Sequence, residues 1–223
     1  MSRHLKAYAA PKSWTLLRKI TKWVARPQQG VHPFERSLPV SLLLKQIGAA
    51  KTTKEAKKIV NSKAVKIDGK TIKNYHHSTG FMDSIQIQET ALRGSIDNKG
   101  RLKFLEITAD ETGKKICKII GKTTVKKGKT QLNLSDGRNI LADKAYATGD
   151  SILIEVPSQK ILEHYPLAKG STVFLTAGRH IGVTGTVDNI EGRRIWCKTG
   201  KEKIETLVDF AYVIGKDKPA LKI

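Results

Sequence analysis

Between residues 37 and 88 the spacing of apolar and polar positions predicts two short helices. The first helix has apolar residues at the i, i+3, i+4, i+7 spacing of one helix face, namely Val40, Leu43, Leu44 and Ile47. Pro39 suits the first turn of this helix, because a helix leaves the first N–H groups without partners in any case. Gly48 suits the left-handed residue just past its end.

The second helix has an explicit start signal. Thr52 and Glu55 have the spacing of a capping box, in which each side chain accepts a hydrogen bond from the other residue's free backbone N–H. The apolar side then consists of Ala56, Ile59 and Val60, and the opposite side of Lys54, Lys57 and Lys58. Asn61 and Ser62 end the pattern. This segment is therefore expected to be an amphipathic helix with a basic outer face.

A β-hairpin follows the two helices. Residues 64–67 and 70–72 are two β-prone runs, separated by Asp68 and Gly69. An Asp-Gly pair in this position predicts a tight hairpin, because both turn residues need positive φ. Residues 81–87 form a further β-prone run, which is expected to close a small sheet with the hairpin.

This arrangement resembles the S-four type of RNA-binding domain. The resemblance rests on the helix start at residues 52–56, the hairpin VKIDGKTI and the strand MDSIQI. It implies that lysines of the second helix and the hairpin lie along an RNA backbone. Helix–helix–hairpin units also occur in unrelated folds, and a lysine-rich helix face is often only a solvated surface, so the motif alone leaves both interpretations open.

Residues 1–36 form a basic extension. Trp14, Leu17, Ile20 and Val24 have the spacing of one helical stripe, with Arg18, Lys19 and Lys22 on other sides, and Arg26-Pro27 ends the pattern. Such basic arms often become ordered only on nucleic acid. Trp14 and Trp23 are expected to anchor the arm to its own domain rather than to stack on bases. The opening RHLKAYAAPK is similar to the amino-terminal region of one ribosomal protein family.

Residues 89–169 are a succession of short β-prone runs with turn signals between them, which predicts a central antiparallel β domain. The predicted strands cover residues 102–107, 116–125, 130–134, 139–141, 152–156 and 161–164. The turn at residues 126–129 holds three lysines. These either contact phosphates or protect an edge strand from aggregation, and the sequence does not separate the two roles.

Residues 170–223 predict a second small β unit, with strands at residues 172–176, 183–188 and 204–208. Gly178-Arg179, Gly182, Gly185 and the alternation of residues 183–187 resemble a KOW motif, which is found in a small SH3-like barrel. The resemblance implies contact with RNA or with a ribosomal protein through Arg179 and His180. Glycine at such points lets the backbone bend and lets another backbone approach. The structural alternative is a tight barrel turn alone.

The net charge of +21 favours a polyanionic partner, because 41 Lys and Arg face only 20 Asp and Glu. The excess is +7 in residues 1–36, +6 in 37–88, +5 in 89–169 and +3 in 170–223. Positive charge is thus densest at the amino end. We expect this half to be the most deeply embedded in RNA.

Several other classes of protein are disfavoured. Cys117 and Cys197 have no Cys-x-x-Cys spacing, which argues against zinc, and they are expected to be small core residues. Few cysteines fit a reducing cytosol, and neither a signal peptide nor a membrane span is expected. Residues 121–124 read GKTT, but Ile116 stands where a phosphate-binding loop needs glycine. The six histidines are scattered, and no catalytic set, metal site, cofactor or small-molecule substrate is predicted.

In order, the arm, S-four-like domain, central β domain and KOW element resemble the small-subunit ribosomal protein family called S-four-e. The ending FAYVIGK at residues 210–216 is similar to that family's ending, and termination at Ile223 suggests its archaeal branch. The implied fold is α+β and multidomain, with boundaries at residues 1–36, 37–88, 89–169 and 170–223.

The implied function is a structural, non-enzymatic role in the small ribosomal subunit in the cytoplasm, with ribosomal RNA and neighbouring ribosomal proteins as partners. The expected RNA-binding residues are Arg3, Lys6, Lys12, Arg18, Lys19, Lys22, Arg26, Lys45, Lys51, Lys54, Lys57, Lys58, Lys63, Lys70, Lys73, Arg179 and His180. Two alternatives remain at this point. One is an RNA-modifying enzyme that uses an S-four-like domain, such as a pseudouridine synthase. The other is a transient assembly or transcription factor with a KOW element.

Overall fold

The computed structural model describes residues 4–125, 128–142, 145–200 and 202–223. The chain divides into two compact units. The first consists of Met1–Ser95 and Arg101–Thr112, and the second of Ile96–Gly100 and Gly113–Ile223.

The first unit has a short antiparallel sheet beside two helices. Its elements are β1 (Leu5–Lys6), β2 (Trp23–Val24), β3 (Ser37–Pro39), α1 (Val40–Gln46), α2 (Thr53–Asn61), β4 (Val65–Ile67), β5 (Lys70–Thr71), β6 (Ser78–Gly80), β7 (Ser84–Ile87), β8 (Thr90–Ile96) and β9 (Leu102–Glu106). The main sheet has the strand order β5-β4-β7-β8-β9, and β1–β2 and β3–β6 form two further antiparallel pairs.

The helix α1 forms where the apolar spacing predicted it, with two local differences. Val40, Leu43 and Leu44 are fully buried, but Ile47 is 38% exposed because the helix ends at Gln46 and Ile47 is its cap. Pro39 is extended and pairs with Ser78, so it precedes the helix instead of starting its first turn. Gly48 has φ +81°, as expected for the left-handed residue past a helix end.

The capping box and the hairpin are both confirmed. At the start of α2 the Glu55 N–H donates to Thr52 Oγ1, and the Thr52 N–H donates to Glu55 Oε2. In the hairpin Asp68 has φ +49° and Gly69 has φ +74°, as the tight turn requires. The next strand starts three residues later than predicted, at Ser84, because Met82 turns with φ +65°.

The predicted helix of the basic arm is wrong. Residues 4–36 contain turns, two short strands and two 3-10 turns, but no α-helix. Trp14 is buried, whereas Leu17 and Ile20 are each 73% exposed, so the three side chains do not share a buried face. The reason is tertiary, since the indole N–H of Trp14 donates to the Ser37 carbonyl at 2.6 Å. Such a tertiary contact outweighs a weak helical pattern, because local helix propensity contributes only a fraction of a kcal/mol per residue.

The main sheet of the first unit also contains β8 and β9, although their residues lie beyond position 88. The pairing of β8 with β7 places Leu92 opposite Ile85, so both side chains join one core. Arg93 is buried beside them, and its guanidinium donates to the carboxylate and the backbone carbonyl of Glu111, each at 2.8 Å. Hydrogen bonding within the sheet thus continues past the end of the helix–helix–hairpin pattern.

The second unit consists of two five-stranded antiparallel sheets. Its strands are β10 (Lys114–Thr124), β11 (Thr130–Leu134), β12 (Asn139–Ala142), β13 (Ser151–Glu155), β14 (Ile161–Tyr165), β15 (Thr172–Leu175), β16 (Thr184–Glu191), β17 (Arg194–Thr199), β18 (Glu202–Leu207) and β19 (Ala211–Gly215). The orders are β12-β11-β10-β13-β14 and β18-β17-β16-β15-β19. The strands predicted in residues 116–164 all form, within one or two residues at each end.

Alternating side chains of the strands build the cores of this unit. Ile119, Leu132 and Ile152 are fully buried in the first sheet, together with Cys117. Cys197 is buried in the second sheet, where desolvation raises its thiol pKa to about 11. Both cysteines are free thiols and small core residues, as predicted.

Two polar contacts link the sheets of the second unit. The hydroxyl of Tyr212 on β19 donates to the Ile116 carbonyl on β10 at 2.6 Å. The ammonium group of Lys118, also on β10, donates to the carbonyls of Val208, Asp209 and Ala211 at 2.9, 3.0 and 2.7 Å. Burial of this ammonium group lowers its pKa to about 8.

Candidate nucleic-acid interface

The outer face of α2 presents three lysines because the inner face is fixed by packing. Ala56 and Val60 are buried, so the other sides of this short helix must point away from the core. Lys54, Lys57 and Lys58 are accordingly exposed. The capping box holds the start of the helix, and its hydrogen bonds from the Lys51 and Thr52 N–H groups lower the pKa of Glu55.

An aromatic pair lies beside this lysine face. The Lys57 ammonium lies over the Tyr75 ring, 4.5 Å from its centre, and the rings of Tyr75 and His76 are 4.1 Å apart. The Tyr75 carbonyl accepts the Ser41 N–H of α1, which fixes the loop against the helices. A cation held over a ring next to further lysines can contact phosphates and bases together.

The basic arm adjoins the same surface through His76. Its ring Nδ1 lies 2.7 Å from the Arg26 carbonyl, and its own carbonyl accepts the Gln28 N–H at 2.7 Å. The side chains of Asn74 and Gln28 form a further hydrogen bond at 2.9 Å. The arm is thereby connected by contacts to the lysine face of α2, and the two form one surface, which we call the arm–α2 surface.

A second anchor holds the arm to the sheet. His32 Nε2 lies 2.8 Å from a carboxylate oxygen of Asp83, which is buried and also accepts the Gly80 N–H at 2.9 Å. The neighbouring imidazole of His77 is half-buried, and desolvation lowers its pKa. A buried carboxylate that accepts hydrogen bonds from two elements fixes their relative position.

The remaining RNA-binding residues predicted in the first unit fall into two groups. The exposed ones are Lys6, Lys12, Lys19, Lys22, Lys51, Lys63, Lys70 and Lys73. Arg18, Arg26 and Lys45 are half-buried and already have partners. The Arg18 guanidinium donates to the Tyr8 and Pro11 carbonyls, Arg26 lies 5.5 Å from the Phe34 ring centre, and Lys45 donates to Thr53 Oγ1 at 2.8 Å. These three side chains therefore also shape the arm.

Three predictions fall elsewhere. Arg3 lies outside the described residues, as do Lys126 and Lys127 of the basic turn. Arg179 is exposed and His180 half-buried, and both belong to the second unit. This pair is therefore described with the second unit and is not counted in the arm–α2 surface.

The glycines of the KOW-like loop bring protein backbone together. A Cβ at Gly182 would lie 2.7 Å from the Asn98 backbone nitrogen, and one at Gly185 would lie 2.9 Å from the Lys198 carbonyl. These close approaches require glycine within the fold itself. They support the tight-turn interpretation of these two positions.

The sequence interpretation missed Tyr75 and His76, which lie at the centre of the arm–α2 surface. The available signal was an aromatic pair directly after Lys73 and a hairpin. The sequence interpretation assigned His76 and His77 no role, because the six histidines are scattered along the chain. The two imidazoles do have different surroundings, since His76 contacts the arm whereas His77 is half-buried and its pKa is lowered by desolvation.

The described residues offer no alternative chemistry. No group of three His, Cys, Asp or Glu among them has the arrangement of a metal site. Residues 121–124, which resemble part of a phosphate-binding loop, lie inside the strand β10 as expected. No helix in the described part of the chain has the length and apolar character needed to cross a membrane.

Three family models match the chain in succession. The model of the RS4NT (NUC023) domain matches residues 1–35, that of the S4 domain residues 40–85, and that of the Ribosomal family S4e residues 89–161. The order agrees with the arm, the helix–helix–hairpin domain and the central strands described above. The match of residues 40–85 places the S4 domain on α1, α2 and the hairpin, and thus on the helical part of the arm–α2 surface.

Similar proteins cover almost the whole chain. The small ribosomal subunit protein eS4 of Methanothermobacter thermautotrophicus is 39% identical over 99% of this chain and 96% of its own length. The protein of the same name from Staphylothermus marinus is 38% identical over 99% and 95%. The crystal structure of the 30S ribosomal protein S4e from Thermoplasma acidophilum superposes with a TM-score of 0.71 at 29% identity, over 81% of this chain and 95% of that one.

These similarities decide between the function classes left open by the sequence. The relatives are ribosomal proteins by name, and the matching models describe a ribosomal family rather than an enzyme. Neither an RNA-modifying enzyme nor a transient factor is therefore supported. The near-complete coverage at 38–39% identity, with the consecutive domain matches, shows that this chain belongs to the S4e family of small-subunit ribosomal proteins.

Proposed function

We propose that this protein is a structural constituent of the small ribosomal subunit, where it binds and stabilises ribosomal RNA and thereby supports translation. The observation that carries the proposal is the arm–α2 surface. Exposed lysines of α2 and a basic arm are joined there through Tyr75 and His76 into one continuous face. Membership in the S4e family supports the same assignment.

The mechanism is neutralisation of phosphates. Lys54, Lys57 and Lys58 lie along the RNA backbone and release condensed counterions, so affinity falls steeply with salt. The arm adds a second row of contacts, and the proposed set comprises Lys6, Lys12, Arg18, Lys19, Lys22, Arg26, Lys45, Lys51, Lys63, Lys70 and Lys73, together with Arg3. Because bases are not read by these cations, recognition depends on the shape of the folded RNA.

Within this proposal the chain acts through four segments: the arm, the S4 domain, a central β domain and a carboxyl-terminal element. We assign the last sheet, at residues 170–223, to an SH3-like KOW barrel. Its support is the antiparallel order β18-β17-β16-β15-β19 and the positive φ of +88° at Gly178 and +81° at Gly182. Arg179 and His180 would contact RNA or a neighbouring ribosomal protein there. The expected location is the cytoplasm.

The decisive experiment measures the salt dependence of binding to small-subunit ribosomal RNA transcribed in vitro. The double variant Lys54→Ala/Lys58→Ala removes two exposed charges from α2. The slope of log K against log salt concentration should become shallower by about 1.4 to 1.8, because each of the two lost phosphate contacts contributes roughly 0.7 to 0.9. Lys57 is left in place because it also packs on Tyr75.

The matched control is Lys160→Ala/Lys169→Ala, which removes the same charge from exposed positions of the second unit. Its slope should stay close to that of the wild-type protein. Equal changes in slope for the two variants would mean that RNA is attracted by the overall positive charge and not bound specifically at the arm–α2 surface. A wild-type protein that does not co-sediment with small subunits at moderate salt would contradict the proposal as a whole.

A further inference from the structure

A cavity of about 320 Å³ lies between the arm and α1, next to the arm–α2 surface. Leu17, Ile20 and Trp23 line it on the arm side, and Ser41, Leu42 and Lys45 on the helix side. Its volume is within the roughly 300–1,000 Å³ typical of ligand sites. All of its lining belongs to the first unit.

The arm side of this cavity is unusual for its exposed apolar side chains. Leu17 and Ile20 are each 73% exposed, and Trp23 is 52% exposed. Burial of such surface would be favourable, yet the arm turns these side chains outward where a helix would have buried them. A row of exposed apolar groups beside a cavity is typical of a surface that a partner covers.

The helix side supplies a polar group without a partner. The Ser41 hydroxyl is buried at 1% exposure and makes no hydrogen bond to any described residue. Buried hydroxyls are normally satisfied, because an unmade hydrogen bond is costly. Ser41 is one of the residues that line the cavity, so an occupant whose polar edge reaches its hydroxyl would satisfy that group.

The charges around the cavity identify the class of occupant. Lys19 and Lys22 are exposed neighbours of Ile20 and Trp23 in the sequence, and Lys45 lines the cavity itself. The two segments that form it carry net charges of +7 and +6. An occupant must therefore combine apolar faces and a polar edge with nearby negative charge, which is the chemistry of a nucleotide. An aliphatic protein side chain would neither form a hydrogen bond with the Ser41 hydroxyl nor neutralise the charge of the lysines.

We infer that this cavity accepts one unstacked nucleobase of ribosomal RNA, inserted between Leu17, Ile20 and Trp23 of the arm and Ser41 of α1. The base faces cover the exposed apolar groups, the Ser41 hydroxyl bonds the base edge, and Lys22 and Lys45 meet the adjoining phosphates. The inference rests on the proposed RNA binding, and it adds a contact to a base where that proposal has contacts to phosphates alone.

The test compares two buried serines, Ser41 and Ser151, whose hydroxyls both lack a hydrogen-bond partner among the described residues. Ser151 belongs to the second unit and is not one of the residues that line the cavity. Ser41→Ala should leave thermal stability unchanged or raised, and should weaken binding to in vitro transcribed small-subunit RNA about threefold. Ser151→Ala should bind this RNA as the wild-type protein does.

A second pair of variants tests the apolar wall. Leu17→Ser/Ile20→Ser should lower RNA affinity about fivefold or more at every salt concentration, with an unchanged salt slope, because stacking and burial release no counterions. The control Ile120→Ser/Leu141→Ser changes side chains that are 65% and 58% exposed in the second unit, and its binding should match the wild-type protein.

The outcomes distinguish failure of the proposed base-binding site from failure of the proposed function. Variants that bind RNA like the wild-type protein, but are lost from washed small subunits, would show that a protein side chain occupies the cavity and would overturn the inference. A changed slope would also overturn it, since the residues would then act through phosphates. If the wild-type protein shows no salt-dependent RNA binding, both the proposed function and this site fail.

Discussion

The carboxylate of Glu55 closes the first turn of α2. It accepts the backbone N–H groups of Lys51 and Thr52 at 2.8 and 3.3 Å, and these hydrogen bonds favour its ionised form. The pKa of Glu55 is therefore lower in the folded protein than in the unfolded chain. Since α2 carries Lys54, Lys57 and Lys58, the geometry of the proposed RNA contacts depends on this one acidic side chain.

The pH dependence follows from the direction of this shift. A carboxyl whose folded pKa is lowered contributes stability above its unfolded pKa, and the contribution is lost as the pH falls through the folded value. Glu55→Gln should accordingly flatten the acid side of the stability curve compared with the wild-type protein. Urea unfolding at a series of pH values between neutral and acid measures this, and parallel curves for the two proteins would show that the shift is absent.

The partner residue of the capping box gives a simpler prediction. Thr52→Ala removes the side-chain acceptor of the Glu55 N–H, and the free energy of unfolding should fall by about 1 kcal/mol. Thr71→Ala changes an exposed threonine of β5 in the same unit and serves as the control. Urea denaturation measures both. An equal decrease in the free energy of unfolding of Thr71→Ala would mean that the capping hydrogen bond of Thr52 does not stabilise the protein.

At the scale of elements, the arm is held by a few specific contacts. The Trp14 indole donates to the Ser37 carbonyl, and its ring lies 5.9 Å from that of Phe34. The Leu102 N–H donates to the Ser13 carbonyl at 2.9 Å, and His32 contacts Asp83. The first two anchors are at the adjacent residues 13 and 14 and the third is at His32, so they fix two different stretches of the arm. The expectation that Trp14 anchors the arm agrees with its burial.

Replacement of Trp14 by Phe tests this anchoring. The variant keeps most of the apolar surface but leaves the buried Ser37 carbonyl without its donor, so stability should fall by about 1–3 kcal/mol. Hydrogen exchange should accelerate in residues 4–36 before it does in α1 and β4. Trp23→Phe is the control, because Trp23 is 52% exposed. Unchanged exchange in the arm of the Trp14 variant would contradict the anchoring role.

At the scale of the whole chain, charge and burial have different distributions. Positive charge is concentrated in the first 88 residues, whereas in the second unit Lys115 is buried and Lys118 and Arg138 are partly buried. Lys115 is 1% exposed and lies 3.4 Å from the buried carboxylate of Asp136, which Arg138 also contacts at 3.1 Å. In the second unit some cations thus maintain the fold rather than meet RNA.

Lys118 gives a pH-dependent prediction for the second unit. Desolvation lowers its folded pKa to about 8 from 10.5, so the unfolded chain binds this proton more tightly between these values. Stability contributed by this group should therefore rise as the pH increases from about 8 to 10.5. Lys118→Met should remove that rise, and the difference between the two proteins isolates it from other titrations. Chemical denaturation between about pH 8 and 10.5 measures the free energy of unfolding of both proteins. The same pH dependence in the wild-type protein and Lys118→Met would refute the burial of this charge.

The sequence by itself determined what depends on neighbours within a few positions. The apolar spacing of α1, the capping box at Thr52 and Glu55, and the Asp68-Gly69 turn rest on interactions along one short segment. The strands of residues 116–164 follow from β-prone runs and intervening turns for the same reason. The charge gradient and the collinear family motifs are properties of the sequence itself, and so they indicate the family without reference to the fold.

Only the tertiary structure decided what depends on distant partners. Trp14 meets Ser37 across 23 positions, His76 meets Arg26 across 50 and Lys118 meets Ala211 across 93, and no local pattern encodes such pairs. The contact of Trp14 favours turns over the expected arm helix. The contact of His76 places Tyr75 and His76 at the centre of the arm–α2 surface. The tertiary structure also left Ser41 buried beside a cavity, with no hydrogen-bond partner for its hydroxyl among the described residues. Local preferences of a fraction of a kcal/mol per residue give way where burial and long-range hydrogen bonds contribute more.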